Sequence, residues 1–540
     1  MPGIPAADAR IDTRATARSR ATVLWCLVIF AAWAAVVAVA ELHHEFWRDE
    51  VRALSLALDA DSLLSIPATI HGEGHPALWY LLLRISYEIF GTKAVLPLLN
   101  LLIAAAAIII FLWRAPFSLW WKALFVFSAI AIYEYSVMAR NYSIAMLLMF
   151  IYTTVYTAPR GSPLWLILIL FFLTQTHVIA ALLIPFYLFI WLSDWWSARR
   201  SGLVPQDRLL WIILAGVASL TGMLAAFATV YPTNNDLMLR PLPDRMRILR
   251  AIGSAILQPG YFYCEPPVSE ELPFCSTGGR LRLAETARTA MLYLAAAGLV
   301  VRLPLLLSAL GGLWGIALFF QLVYPGYYRH QAIWIIFLIT LYWFAFAGRG
   351  QSLQVQRSIR SHLLLYSFYG AFTAMLLLNI GIRKVYRDTV YEISKSNALA
   401  GLLRTSTDLH NAIILAEPEN IGEAIPYYVN NDIYLLREGK FGKFATWSSR
   451  TSNLNLSLHD VLVTARGLKG RTGRPILILL LYPVIAVDPP QQVREFASTS
   501  TGMWRFHYDG DEARDFLAAT RKLPLGSTAL LEDFEVYLLQ

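Results

Sequence analysis

The chain has 540 residues, 57% of them hydrophobic and 15% charged, against roughly 45–50% and about 25% in an ordinary soluble domain. A mean hydropathy of +0.51 and a 13% aromatic share suit many helices in lipid with Trp and Tyr at the interfaces, and exclude disordered, collagenous and disulfide-scaffold classes. The net charge of +8 needs no nucleic acid, because basic cytoplasmic loops account for it.

The first apolar run, Thr22 to Ala40, follows Arg10, Arg14, Arg18 and Arg20. It is long enough to span, and the arginines keep residues 1–21 cytoplasmic. Its end, Ala38-Val39-Ala40, imitates a signal-peptide cleavage site, but the length favours an uncleaved anchor. Residues 76–90 look helical yet would extend only about 22 Å, short of the roughly 30 Å hydrocarbon core. With Arg84 and Glu88 four positions apart, they read as an interfacial amphipathic helix. Crossings are then expected near 93–113, 119–138, 142–157, 163–178, 179–196, 209–230, 288–301, 303–323, 331–347 and 361–382. Eleven spans in alternation put Arg114, Lys122, Arg160, Arg199, Arg200, Arg208, Arg302, Arg349, Arg357 and Arg360 inside, as the positive-inside rule asks. The odd count sends residues 383–540 outside. There, short apolar runs at Ala412 to Ala416 and Ile476 to Tyr482 alternate with helical patterns around Ile421 to Val429 and Asp511 to Arg521, the mark of a small α/β domain. Neither a Rossmann nor a Walker glycine pattern occurs, so no nucleotide is assigned.

With this topology the ionisable residues that are expensive near a membrane fall at outer span ends and in outer loops: Asp49, Glu50, His71, Glu73, His75, Glu134, Arg140, His177, Arg329 and His330. Such groups are functional candidates when they face a cavity. An acidic pair beside apolar walls can hold one carboxylate as a general base; the structural alternative for Asp49 is an ion pair with Arg52 three positions on. Arginines clamp phosphates bidentately, and tyrosines such as Tyr142 and Tyr328 hydrogen-bond or stack on sugars. The alternative for each is snorkelling or an aromatic belt. Zinc is not favoured, because His71-Gly-Glu73-Gly-His75 is not a ligand spacing of known zinc sites and no helical His-Glu-x-x-His occurs. Cys264 and Cys275 share an outer loop on the oxidising side, where a disulfide is expected.

Phe46-Trp-Arg-Asp49-Glu50 after the first span, Glu73-Gly-His75-Pro76-Ala-Leu-Trp-Tyr80 on a juxtamembrane helix, Ala139-Arg140-Asn-Tyr142, His177 and Arg329-His330 together resemble the GT-C superfamily of polyprenyl-phosphate-sugar-dependent glycosyltransferases. The nearer likeness is to the branch of protein O-mannosyltransferases, lipid A aminoarabinose transferases and rhizobial galacturonosyltransferases. It covers residues 22 to about 382, with the tail matching only loosely. The resemblance implies a polytopic α-helical membrane protein of the GT-C fold, with about eleven transmembrane helices, periplasmic juxtamembrane helices and a C-terminal α/β soluble domain. The implied domains are the cytoplasmic N-terminus 1–21, a catalytic membrane module 22–382 whose first outer loop is 41–92, and a periplasmic domain 383–540, in a bacterial inner membrane.

By the same resemblance Asp49 is the catalytic carboxylate with Glu50 in support. The resemblance also suggests a phosphate contact for His75, while charge and position on the outer face make Arg140, Arg329 and His330 expected donor-phosphate ligands and Glu73, Glu134, Tyr142, His177 and Tyr328 expected substrate contacts. Ala77 stands where the family has a second proline, and Arg140-Asn141-Tyr142 where many relatives have Arg-x-Asp. Whether Glu134 replaces the missing acid stays open. The expected activity is inverting transfer of a sugar from a polyprenyl-phosphate carrier to a lipid, glycan or protein acceptor, without a cofactor. A transporter or flippase of a lipid-linked sugar is the rival reading, and should show repeats or broken polar segments at the midplane. An envelope assembly protein is a second rival, for which eleven spans are excessive.

Overall fold

The computed structural model describes residues 20–159, 161–202, 207–231, 243–259, 281–324, 326–347, 359–377, 379–485, 492–498, 503–526 and 528–540. Cys264 and Cys275 lie outside them.

The N-terminal two-thirds is helical because its sequence is apolar on nearly every face, which in lipid leaves the helix as the way to satisfy the backbone. Helix α1 (Arg20–His43) leads to α2 (Arg48–Asp59), the single turn α3 (Ile66–Thr69), α4 (Leu78–Phe90) and α5 (Val95–Arg114). Next come α6 (Leu119–Val126), a π-helix (Ile130–Val137), α7 (Tyr142–Thr157), α8 (Pro163–Thr174), α9 (Val178–Arg200) and α10 (Leu209–Val230). After α11 (Arg245–Leu257), α12 (Leu281–Ala297) runs into a 3-10 turn, and α13 (Leu303–Leu322), α14 (Tyr328–Ala347) and α15 (Ile359–Leu377) complete the bundle. Six of these, α1, α5, α9, α10, α13 and α14, are long and apolar enough to cross a membrane, the pattern of a polytopic membrane protein.

The expected span 119–138 is interrupted. At residues 127–129 the backbone turns sideways to bond with the segment after α15: Ala129 N–H donates to the Asn379 carbonyl (2.6 Å) and Gly381 N–H to that of Phe127 (2.9 Å). The α-helix therefore ends at Val126 and resumes as a π-helix. Helix α4 is the 13-residue amphipathic segment. It buries Trp79, Tyr80 and Leu83 with Val51 and Leu54 of α2 and Leu96 of α5. Helix α14 is covered on nearly every face, whereas α10 is mostly bare. The start of α14 therefore sits centrally at its end of the bundle.

Helices α16 (Ile382–Val390) and α17 (Lys395–Thr405) lead into the sheet-containing region. Its strands are β1 (Ile413–Glu417), β2 (Ile433–Leu435), β3 (Lys440–Phe441), β4 (Asn455–Ser457), β5 (Ile476–Leu480), β6 (Gln492–Ser498), β7 (Met503–Tyr508), β8 (Thr520–Leu523) and β9 (Glu535–Leu539). The single turn α18 (Ile425–Tyr428) and the helices α19 (Leu458–Thr472) and α20 (Gly510–Ala519) lie between them. One sheet has the order β3-β2-β1-β5-β9-β8, the other β4-β7-β6. Strands β2, β1 and β5 are parallel, with Ile414 opposite Ile433 and Leu477. Every residue of β1 and β5 is buried, as expected of parallel strands covered on both faces.

Candidate active site

Asp49 occupies the first turn of α2, where the unpaired N–H groups and helix dipole favour a carboxylate. Its Oδ2 meets Arg140 Nη1 at 2.8 Å and Arg329 Nη2 at 3.4 Å, and Arg140 Nη1 also donates to the Asp49 carbonyl (3.2 Å). Burial alone would raise its pKa, but Arg140, then Arg329 and Arg48, hold the carboxyl below the ordinary aspartate value. The side chain is nonetheless one-third exposed, so water or substrate reaches it.

Each arginine is oriented by neighbours. Arg329 lies over the rings of Trp47 and Tyr327, both at 5.2 Å, and its carbonyl accepts from the Tyr135 hydroxyl (2.9 Å). Arg140 Nη2 donates to His75 Nε2 (2.6 Å), which fixes that imidazole as neutral. Burial, then the charge of Arg140, pushes the His75 pKa well below its usual value. His75 reaches this place because Gly72 and Gly74 carry positive φ, 90° and 74°, a backbone that side chains with a Cβ rarely adopt. The loop thereby sends Glu73 one way and His75 the other.

Behind His75 the rings continue inward. His177 is 5.1 Å from His75, 5.2 Å from Tyr142 and 5.5 Å from His330. His330 Nδ1 accepts from Tyr327 N–H (2.9 Å), so its hydrogen is on Nε2, 2.9 Å from the Tyr142 hydroxyl. His177 Nδ1 accepts from Ile179 N–H (3.1 Å). That leaves its Nε2–H buried without a partner among the other rings. Two guanidiniums, one carboxylate and neutral imidazoles make a net positive cluster that favours an anion with hydroxyls over a cation. Among the described residues, no group of three His, Cys, Asp or Glu is arranged to hold a metal ion.

Other expected residues face elsewhere. Glu50 is fully buried and turned from Asp49. It accepts from Ala139 N–H (2.7 Å) and meets His44 Nε2 at 3.0 Å, while His44 Nδ1 meets Asp388 at 2.7 Å and Asp388 accepts from the Tyr133 hydroxyl (2.7 Å). Both His44 nitrogens donate to carboxylates. Burial opposes the charge, but Glu50 and Asp388 overcome it and raise the His44 pKa well above its usual value. Glu50 is thus a positioning residue, clamped to the end of α1, to α16 and to the loop before Arg140. Glu134 is buried in an ion pair with Lys384, whose Nζ lies 5.5 Å from the Tyr133 and Tyr328 rings. Glu134 and Tyr328 therefore belong to that packing cluster, and the acid that does stand near Asp49 is the buried Glu532, which shares the Arg48 guanidinium with it at 3.8 Å. Asn141 donates to the Thr176 carbonyl (2.5 Å).

Arg52 does not pair with Asp49 as the three-residue spacing suggests. It bonds Glu73 (2.5 and 2.8 Å), Glu423 (2.5 Å) and the Ala445 carbonyl (2.8 Å), tying α2 and the glycine loop to the sheet-containing region. Glu73 is thereby committed to this clamp. On the other flank Arg48 N–H donates to Glu532 (3.0 Å), Glu45 accepts from Ile393 N–H (2.7 Å), and the Tyr428 hydroxyl donates to the Phe46 carbonyl (3.1 Å). Sequence reasoning missed His44, Asp388, Glu423 and Glu532. His44 stands beside a span end and six residues from Glu50, but its other partner, Asp388, lies 344 positions away and carries no local signal.

No protein-family model matches the chain, and no curated protein matches it.

Proposed function

We propose that the chain is an inverting glycosyltransferase that moves a sugar from a polyprenyl-phosphate carrier to an envelope acceptor, lipid, polysaccharide or protein. Its resting place in this reading is a bacterial inner membrane, crossed about eleven times, with residues 1–21 cytoplasmic and the Asp49 end and residues 383–540 periplasmic. The observation that carries the reading is the accessible Asp49 carboxylate held between Arg140 and Arg329 beside the unpartnered His177 Nε2–H.

The chemistry follows from charge. The donor breaks its bond between the anomeric carbon and the phosphate oxygen, and phosphate leaves as an anion. Positive groups fixed where that charge collects lower the barrier without reorganising, a task for Arg140 and Arg329, with His177 donating to a further oxygen. Phosphate and Asp49 compete for the same guanidiniums, so donor binding releases the carboxylate. Its proton affinity rises, and it takes the proton of the acceptor hydroxyl as that oxygen attacks the opposite face of the sugar.

Asp49→Asn is therefore expected to reduce transfer by at least about a thousandfold, in keeping with loss of a general base, while binding the donor at least as tightly as the wild type. Transfer of radiolabelled sugar from a polyprenyl-phosphate donor by purified chain in nanodiscs tests this. Retained turnover would remove Asp49 from the role. Lipid-linked sugar crossing the bilayer without transfer would favour a flippase.

A further inference from the structure

We infer that the sheet-containing region holds a second binding site, for an uncharged saccharide, at the carboxyl ends of β1 and β2. It goes beyond the transfer chemistry at Asp49 and stands on different residues. In the six-stranded sheet the chain leaves β1 for β2 on one side and returns to β5 on the other. The carboxyl end of β1, from which the order turns both ways, borders the crevice where open parallel sheets bind ligands. Glu417 ends β1 there, and Arg437 follows β2 by two residues.

Those two form a fully buried bidentate pair, 2.5 and 3.0 Å. Arg437 also donates to the carbonyls of Asn453 (2.8 Å) and Arg505 (3.1 Å), and its guanidinium lies 4.8 Å from the Trp504 ring. Around it, four buried polar atoms have no partner: Glu419 Oε2, Asn420 Oδ1, Ser452 Oγ and Trp504 Nε1. All belong to the immediate surroundings of Arg437. Glu419 Oε1 accepts from Arg437 N–H (2.6 Å), and Asn420 is its neighbour in the chain. Ser452 precedes Asn453, whose N–H donates to the Arg437 carbonyl (2.7 Å). An unpartnered buried polar group is costly, and folded proteins keep few such groups. Four about one residue make a set of bonds poised for a ligand.

The set specifies its chemistry. The Glu419 carboxyl, whose pKa burial pushes up to about 8, offers an O–H donor or an acceptor oxygen, an amide oxygen accepts, an indole N–H donates, and a hydroxyl does either. Arg437 is engaged by Glu417 and Lys440 by Glu438 (2.7 Å), so neither offers an unpaired charge to a phosphate. Sugar hydroxyls satisfy all four. Trp447 supplies the apolar half: it stacks on Trp504 at 4.3 Å and 15°, stays half-buried, and is held at φ 52°, a left-handed backbone uncommon outside glycine. A pyranose ring buries its C–H face on such an indole. The loop from Arg437 to Asn453 also carries Ala445, the residue gripped by Arg52 and Glu423. A glycan bound here lies on the same wall that holds α2, suited to presenting an acceptor chain.

Saturation-transfer NMR on the full chain in nanodiscs, with neutral gluco-, manno- and galacto-trisaccharides at millimolar concentration, tests the site. Transfer to at least one trisaccharide is expected. It should weaken by about tenfold or more in Trp447→Ala and Glu419→Gln, persist in Trp447→Phe, and be unchanged in Asp49→Asn. No transfer in the wild type overturns the inference, and so does a signal that Trp447→Ala leaves intact. Loss of signal in Asp49→Asn would assign the sugar to the other site and overturn it equally. Should Trp447→Ala fail to fold, Glu419→Gln and Trp447→Phe decide.

Discussion

Two arginines share Asp49, and they are not equivalent. Arg140 is fixed by His75 and by the Asp49 backbone, whereas Arg329 is held chiefly by the faces of Trp47 and Tyr327. Arg329→Ala is therefore expected to fold normally and to raise the donor Kd by about tenfold to a hundredfold, the loss of one charge-assisted contact, measured by titration of purified chain. His44 makes a second test. Its pKa is raised in the folded chain, so its stabilisation is complete below the unfolded value of about 6.5 and is lost as pH rises through the higher folded value. The melting temperature of the wild type should fall across that alkaline window. His44→Gln should be less stable at pH 6 and should lose this dependence, read by thermal unfolding in detergent at a series of pH values.

Among the elements, the break between α6 and the π-helix is the feature that hydrophobicity concealed. The run from Leu119 to Met138 is predominantly apolar, with Lys122 and Glu134 its charged residues, and nothing in its composition marks residues 127–129 as backbone partners of 379–381. The close approach depends on Gly381: a Cβ there would come within 2.9 Å of the Ser128 carbonyl oxygen. Gly381→Val should destabilise the chain by about 1–3 kcal/mol, the usual cost of overpacking, lowering the melting temperature, while Gly370→Ala, with open space around its site, should not. By contrast α4, α5, α9, α10, α13 and α14 were legible, because a long or amphipathic apolar pattern permits few alternatives. The gathering of Asp49, His75, Arg140, His177, Tyr142, Arg329 and His330 follows from which end of each helix they occupy. The tasks of Glu50, Glu73 and Glu134 do not, since a carboxylate's partner depends on tertiary neighbours such as His44, Arg52 and Lys384.

At the scale of the whole molecule, the proposed orientation makes Lys443 and Arg199 diagnostic. Both are exposed, Lys443 in the sheet-containing region and Arg199 at the far end of α9. In a background without the native cysteines, Lys443→Cys should react with a membrane-impermeant maleimide in intact spheroplasts. Arg199→Cys should react only after permeabilisation, and the reverse pattern would invert the assignment. The same region that Lys443 marks holds α2 from two directions, through Glu423 on Arg52 and Glu532 on Arg48. Arg48 and Glu532 stand 484 positions apart. A ribosome makes Arg48, beside Asp49, long before it makes the glutamate that steadies it. The proposed activity is therefore expected only in chains whose synthesis has passed Glu532.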